Sequence, residues 1–470
     1  MIFMLGGTDM IISRLQIRGL HGIYDYDIAF NDDLTFIFGE NGCGKTTILN
    51  IVSSIVTGRI INLLSYQFDE ISLYYRKGKR RREESVRISI DGNACEIRID
   101  SAGIYETIED IRRIREMYDR DDEYTWERNM YAQFDAPRYL RETFDYIYLP
   151  LSRFSQDGNS PIDGPMTRRR NVVRYSEKDL INKNYLNDSL RYVEDIVRNG
   201  FMRISTTENA INVRFRRELL ASSLSVTTDY NLGKVMDNIG DENTLGSIER
   251  NRQEYIRILR AIGEWNPDMN SQVDNFFEKY KEAYEKMQHG DEKGRRFFTM
   301  DFLLMNMEFN RIKQIAAQAQ KVEREKEEIR TPINAFLSTV NNFFSISEEK
   351  KHIEINDDGR IVVTADSPKR DVSLYHLSSG EKQIIIIFAC LIFGLPAGKG
   401  GIYIIDEPEA SLHLAWQKMF VKSIREVNNS IQLIFATHAP EIIGRNSDRS
   451  VKLRKKVNPQ RLEKAGLFNE

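Results

Sequence analysis

Short apolar runs separated by polar turns open the chain. "IISRLQIRGL", the alternating "IYDYDIAF" and "LTFIFG" predict strands between Ile11 and Gly39, and a helix is expected from Lys45 to about Val56. "EISLYYRKG", "SVRISI" and "ACEIRI" predict a β-meander that runs through Ile99. The stretch 108–141 is charged and reads as mostly helical. "TFDYIYLPL", Thr143 to Leu151, reads as a buried strand, and "SQDGNSPIDGPM" as a Gly/Pro-rich loop.

From about Ser176 to Phe344 the pattern turns helical and more polar. Phe302, Met305, Phe309, Ile312, Ile315, Ala319, Val322 and Ile329 recur at three- and four-residue steps, one apolar seam on a long helix. Val273, Phe276, Phe277, Tyr280, Tyr284 and Met287 form an earlier seam. The polar link "HGDEKGR" lies between the two, so a short antiparallel helical hairpin is expected. "IEINDDGRIVV" then predicts a β-hairpin. "IIIIFACLIFGL", Ile384 to Leu395, is apolar but shorter than the roughly 20 residues that cross a bilayer, so it reads as a buried helix. Strands return in "GIYIID" and "IQLIFAT", with a helix around Ala415 to Glu426 between them. The pattern predicts an α/β protein in which 1–155 and 346–470 are two halves of one mixed-sheet domain. A mainly helical insertion, 156–345, separates them.

Composition narrows the class. Of 470 residues, 41% are apolar and 29% charged, ordinary for a soluble protein, and the net charge of −3 supplies no global field toward nucleic acid or an anionic membrane. The cysteines Cys43, Cys95 and Cys390 form no CxxC pair. That argues against structural zinc and against a disulfide framework, and fits a reducing cytoplasm. The start of the chain lacks a basic segment leading into a sustained apolar run, so no signal peptide is expected.

The chemistry is concentrated in four short segments. Gly39-Glu40-Asn41-Gly42-Cys43-Gly44-Lys45-Thr46 fits GxxxxGK[ST] between a strand and a helix. Glycines let backbone N–H groups wrap phosphates, Lys45 supplies positive charge, and Thr46 offers a hydroxyl to Mg²⁺. The apolar run Ile402–Ile405 delivers Asp406 and Glu407 at a strand end. Asp406 suits a Mg²⁺ ligand and Glu407 a base for an attacking water. "LSSGEKQ" places Ser378 and Gly380 at a helix start, which serves either as an anion site or as a plain capping box between Ser378 and Glu381. His438 follows the last strand, where it suits a γ-phosphate sensor. His413 in "EASLH" suits a subunit interface or a helix cap.

The order loop, insertion, "LSSGE", "IIDEPEASLH", "ATHAPEI" resembles the ABC-type ATPase head, in the branch with RecF, SMC, Rad50 and the overcoming-lysogenization-defect ATPases. The resemblance covers roughly 11–155 and 350–450. It implies that two heads sandwich two ATP molecules and that hydrolysis opens the pair. Carried over, Gly39 to Thr47 form Walker A; Leu377, Ser378, Ser379, Gly380 and Glu381 the signature acting in trans; and Asp406 and Glu407 Walker B and the base. Ala410, Ser411, Leu412 and His413 form the D-loop, and His438 is the switch histidine. Ser379 stands where transporters usually carry Gly. The Q-loop glutamine is assigned to Gln156, with Gln67 as the alternative.

Absences choose among the branches. There is no zinc hook, no HEXXH, no HNH-like cluster and no triad, and the 32 residues after His438 are too few for a TOPRIM domain, so no intrinsic nuclease is expected. The chain is most similar to stand-alone ATPase subunits of antiphage defence. Such subunits control a separate effector, an HNH nuclease in the Septu type or a TOPRIM effector in the PARIS type. The alternative is a RecF-like repair or maintenance ATPase that acts directly on DNA. Lys79, Arg80, Arg81 and Arg82, at a predicted hairpin tip, and Arg168 to Arg170 are the candidate phosphate-tracking residues. The competing reading of the first cluster is a solvated turn balanced by Glu83 and Glu84.

Overall fold

The computed structural model describes residues 10–78, 82–111, 113–114, 133–150, 185–224, 245–261, 267–289, 299–394 and 400–457. The chain divides into two compact units, Met1–Gly200 with Pro332–Glu470, and Phe201–Thr331.

The first unit is organised around a five-stranded sheet. It contains β3 (Leu34–Phe38), β8 (Tyr146–Pro150), β12 (Ile402–Asp406), β13 (Gln432–Thr437) and β14 (Ser450–Lys452), in the order β14-β3-β13-β12-β8. Every pairing in it is parallel. Parallel strands are covered on both faces, which explains the unbroken apolar runs in the sequence. Alternation along each strand assigns the faces: Ile402, Ile404, Ile434 and Ala436 enter one core, and Tyr403, Ile405, Leu433 and Phe435 the other.

The first core is closed by a seven-stranded antiparallel sheet and helix α1 (Lys45–Thr57), with α2 (Ile60–Leu63) and α3 (Asp135–Thr143) alongside. That sheet holds β1 (Met10–Leu20), β2 (Tyr24–Ala29), β4 (Glu70–Lys77), β5 (Glu84–Asp91), β6 (Ala94–Ile99), β7 (Ile104–Ile108) and β15 (Lys456–Val457), ordered β15-β2-β1-β4-β5-β6-β7. The expected meander is therefore present, with β7 as an added strand. A small sheet, β9 (Lys351–Ile355), β10 (Ile361–Asp366) and β11 (Lys369–Val372), contains the expected "IEINDDGRIVV" hairpin.

Gln432 ties the two large sheets together. It is buried on β13; its Nε2 donates to the carbonyls of Ile12 and Asn31 at 2.7 and 2.8 Å, and its Oε1 accepts from the Ile12 N–H at 2.9 Å. On that side β1 pairs with β2 only from Arg14 onward, so the polar backbone of Ile12 is completed by a side chain from the other sheet.

Helices α8 (Ser379–Phe393), α9 (Leu414–Val427) and α10 (Pro440–Ile443) belong to the first unit. The apolar run Ile384–Phe393 is buried in α8 except at the half-buried Ile392, as its sequence predicts. Among the described residues no helix is long and apolar enough to cross a membrane.

Two helices run between the units: α4 (Tyr185–Leu224) and α7 (Met300–Ser345), whose internal proline, Pro332, begins the stretch assigned to the first unit. The second unit also contains α5 (Leu245–Ala261) and α6 (Pro267–His289). The predicted hairpin is found here. Tyr280 of α6 stacks on Phe309 of α7 with ring centroids 4.3 Å apart, and its hydroxyl donates to Asn306 Oδ1 at 2.8 Å. Phe277 meets the same Phe309 edge-on.

The Gln432 joint carries a stability prediction. Gln432→Leu roughly keeps the volume but removes the partner of two buried backbone groups of Ile12 and of the part-buried Asn31 carbonyl, at about 1–3 kcal/mol for each buried group left unsatisfied. Denaturant unfolding should show a loss of at least about 2 kcal/mol. An unchanged midpoint and slope would contradict the role given to this residue.

Candidate functional site

The register of the parallel sheet sets one row of strand ends. Asp406 pairs with Ala436 and with Pro150, and Ala436 pairs with Ile37. The loops after β3, β12 and β13 therefore leave the sheet at the same edge. Both faces are covered by cores, and parallel sheets of this kind bind ligands at the carboxyl edge. The strand that leads into His438 lies between the strand that leads into the glycine loop and the strand that ends in Asp406.

In the loop after β3, Gly42 and Gly44 have φ of 79° and 100°, where a side chain would be strained. Gly44 is the N-cap of α1 and makes no side-chain cap, and no acidic residue lies in the first turn. The first N–H groups of α1 thus keep the hydrogen-bonding capacity and dipole that suit an anion. Lys45 is buried, and its Nζ donates to the carbonyls of Gly39 and Glu40 at 2.9 and 3.2 Å. Thr46 and Thr47 are half-buried; Glu40 and Asn41 are exposed.

Tyr26 supports this loop from β2, and its role was not evident from the sequence. Its hydroxyl donates to the Cys43 carbonyl at 3.2 Å, and a Cβ on Gly44 would come within 3.2 Å of that oxygen. Burial pushes the phenol up to about 12, so it stays a neutral donor at physiological pH. Its only sequence signal is an apolar-facing position in an alternating strand.

Asp406 is 1% exposed at the end of β12. Glu407 follows in the left-handed region, φ 47° and ψ 58°, with its N–H held by the Ala436 carbonyl at 2.8 Å. A non-glycine residue there costs roughly 1–2 kcal/mol, and such strain clusters where function fixes the backbone. Pro408 then opens a short turn, Pro408–Ser411.

Glu409, in that turn, is the buried acid that sequence reading missed. Its Oε1 accepts from the Thr437 hydroxyl at 2.7 Å, the His438 N–H at 2.8 Å and the Ala439 N–H at 3.2 Å. The same oxygen lies 3.0 Å from His438 Nδ1, while the His438 ring is half exposed. Sequence reading gave the second glutamate of "DEPE" no role, because its partners in Thr437–Ala439 are remote in the chain.

The start of α8 packs on the same turn. Gln383 Nε2 donates to the Pro408 carbonyl at 2.9 Å, and a Cβ on Gly380 would sit 2.5 Å from the Ser411 carbonyl oxygen. Gly380 therefore has to be glycine to admit this approach. The capping box between Ser378 and Glu381 is formed, with the Ser378 N–H donating to Glu381 Oε2 at 2.8 Å. The Ser378 hydroxyl also donates to that carboxylate, and Lys351 Nζ reaches its other oxygen at 2.9 Å. Leu377, Gly380 and Glu381 are buried, so Ser378 and Ser379 form the exposed tip of the segment. Ala410 and Ser411 are exposed and Leu412 is buried; exposed His413 caps α9 by accepting from the Ala415 N–H at 3.3 Å.

The other candidates fall elsewhere. Gln156, Lys79, Arg80, Arg81 and Arg168 to Arg170 lie outside the described residues. Arg82 is exposed beside the β4–β5 hairpin, and nearby Arg76 is already paired with Asp32. Gln67 lies before β4, and its carbonyl accepts from the His21 N–H in the β1–β2 turn.

The donor chemistry fits Mg²⁺ with a nucleotide. Among the described residues no group of three or more His, Cys, Asp or Glu could hold a metal unaided. A hydroxyl at Thr46 and a carboxylate at Asp406 are hard oxygen donors of the kind that complete a Mg²⁺ shell together with phosphate oxygens.

A family described as "AAA ATPase domain" matches residues 10–443. The retron Vc95 probable ATPase of Vibrio cholerae serotype O1 biovar El Tor is 24% identical over 139 residues, 28% of this chain and 25% of that protein. The DNA replication and repair protein RecF of Cronobacter sakazakii is 29% identical over 107 residues, covering 21% and 30% of the two chains. The Escherichia coli retron Ec83 probable ATPase is 31% identical over 80 residues, 15% of each. The matched segments thus span less than a third of these relatives' own length. An Smc head domain with an extended coiled coil from Pyrococcus furiosus, solved bound to the C-terminal domain of ScpA, overlays with a TM-score of 0.36 at 15% identity. That overlay covers 98% of both chains.

Thiol chemistry offers a direct probe of the loop. Cys95 and Cys390 are buried, and burial pushes both thiols upward, that of Cys95 to about 12; Cys43 is half-buried in the glycine loop. N-ethylmaleimide followed by mass spectrometry should modify Cys43 first, and ATP should slow that reaction. Equal labelling with and without saturating ATP would contradict a nucleotide at this loop.

Proposed function

The chain belongs to the AAA ATPase domain family, and on that premise we infer that it binds Mg²⁺ and ATP at the carboxyl edge of its parallel sheet and hydrolyses the ATP. The observation that carries this reading is the shared strand-end row. It places the Gly39–Thr47 loop, Asp406–Glu407 and His438 at one edge.

Each group has a defined task. The loop N–H groups and the Lys45 ammonium hold the β- and γ-phosphates, and Lys45 exchanges its two carbonyl partners for phosphate oxygens. Thr46 and Asp406 hold Mg²⁺, which when bound offsets charge on the phosphates. Glu407 takes a proton from water as the water oxygen bonds to the γ-phosphorus. The bond to the β-phosphate oxygen breaks, and ADP and phosphate leave. His438 turns Nε2 toward the γ-phosphate oxygens, to which it donates when the ring is doubly protonated.

Two copies close on the nucleotides in this reading, with Ser379 and the exposed start of α8 facing the partner's γ-phosphate. The D-loop residues Ala410, Ser411 and His413 lie along the same face. Hydrolysis then controls a separate effector, a nuclease of HNH or TOPRIM chemistry, in antiphage defence. The motif order supports that assignment, and retron ATPases are among the relatives of the matched segments. A repair ATPase acting directly on DNA is the second reading, favoured by the similarity to RecF.

Glu407→Gln should bind ATP, release no phosphate and double in mass with Mg²⁺ and ATP on light scattering. A mass that ignores ATP would contradict closure driven by nucleotide. To separate the two readings, the chain can be co-expressed with the reading frames that flank its gene. A nuclease that co-elutes, and whose cleavage changes with Glu407→Gln, supports the effector reading. A chain that elutes alone and whose ATP turnover rises at least about tenfold with duplex DNA supports the repair reading instead.

A further inference from the structure

The buried acid Glu409 is not used by the mechanism above, yet it contacts three consecutive residues of the site, Thr437, His438 and Ala439. One carboxylate oxygen gathers the Thr437 hydroxyl and the N–H groups of His438 and Ala439, and lies 3.0 Å from His438 Nδ1. Its side chain is 5% exposed, against 50% for His438. It therefore holds the backbone at the end of β13 and faces one ring nitrogen, leaving the other side of the imidazole open.

The turn that carries Glu409 is held from a second direction. Gln383 binds the Pro408 carbonyl, and Gly380 lies against the Ser411 carbonyl, so the start of α8 packs on the turn that carries Glu409 and the exposed Ala410–Ser411 segment.

We propose that Glu409 is the positioning residue for His438: it fixes the imidazole as the Nδ1–H tautomer with Nε2 toward the nucleotide, and it links the α8 and D-loop face to the γ-phosphate. The proposal rests on the hydrolysis assigned above. A carboxylate beside one nitrogen favours the proton there, which is how second-layer acids set histidine tautomers elsewhere. A neutral Nδ1–H imidazole accepts at Nε2 from a water on the γ-phosphate, and a doubly protonated ring donates there to a phosphate oxygen; in both states Glu409 keeps Nδ1 and leaves Nε2 to meet the substrate. Thr437 completes the arrangement, because its Oγ1 accepts from the Ala439 N–H at 3.0 Å while its hydroxyl donates to Glu409.

The test begins on the unaltered protein. In ¹⁵N-histidine-labelled chain, with the His438 signal assigned from a His438→Gln sample, the neutral ring should be protonated at Nδ1; protonation at Nε2 would overturn the proposal. Turnover then gives a double-mutant cycle. Glu409→Gln, which keeps an acceptor for the backbone N–H groups, should lower kcat about tenfold or more while KM for ATP changes less than about twofold. In a His438→Ala background the same substitution should have no further effect. A drop of similar size in both backgrounds would mean that Glu409 acts through the fold and not through His438, and would overturn the proposal. Turnover that ignores His438→Ala overturns the assigned role of His438 and this inference with it. Turnover lost in His438→Ala but untouched by Glu409→Gln overturns the inference alone.

Discussion

Thr437 pairs with Phe38 on one side of β13, and Ala436 pairs with Asp406 on the other. Those two registers align the ends of three strands, and the rest of the site follows from them. A one-residue slip would turn every side chain of β13 to the opposite face, exchanging Leu433 and Phe435 for Ile434 and Ala436 in their respective cores. It would also shift His438 by about 3.3 Å along the strand. The two cores therefore enforce the positions of polar residues that they do not contain. Gln432, at the opposite end of β13, adds a polar constraint by completing the backbone of Ile12.

Once the strand ends are aligned, local chemistry does the rest. The glycine loop adopts positive φ at Gly42 and Gly44 and leaves the start of α1 open to an anion. Glu407 turns sharply out of the sheet, and the turn after it is fixed from both sides: Gln383 and Gly380 approach from α8, and Glu409 holds the end of β13. Motifs far apart in sequence thus share one short stretch of backbone. The proposed path from the exposed Ala410–Ser411 segment to His438 runs through that stretch.

Much of this was legible in the sequence because its signals are local. Glycine at fixed spacing is required by φ > 0, strands buried on both faces show as unbroken apolar runs, and the seams of α6 and α7 follow helical steps. Tyr280 and Phe309 both stand in those seams by periodicity, whereas their stacking on each other was not predicted. The capping reading of Ser378 and Glu381 also follows from a local pattern. Glu409, Gln432 and Tyr26 were not legible for the opposite reason. Each is a polar side chain whose partner is remote in sequence, such as Ile12 for Gln432 at a separation of 420 residues. Nothing in a single sequence marks an acid in "DEPE" as buried, since burial depends on the strand it is folded against.

The central claim is that this carboxyl edge hydrolyses ATP. The most direct measurement is steady-state phosphate release from Mg·ATP by the purified chain beside Lys45→Ala and Asp406→Asn, with folding of each checked by thermal unfolding. The account predicts turnover in the parent chain that falls to background in both variants while their unfolding transitions are retained. Turnover that survives both substitutions in folded protein would contradict it.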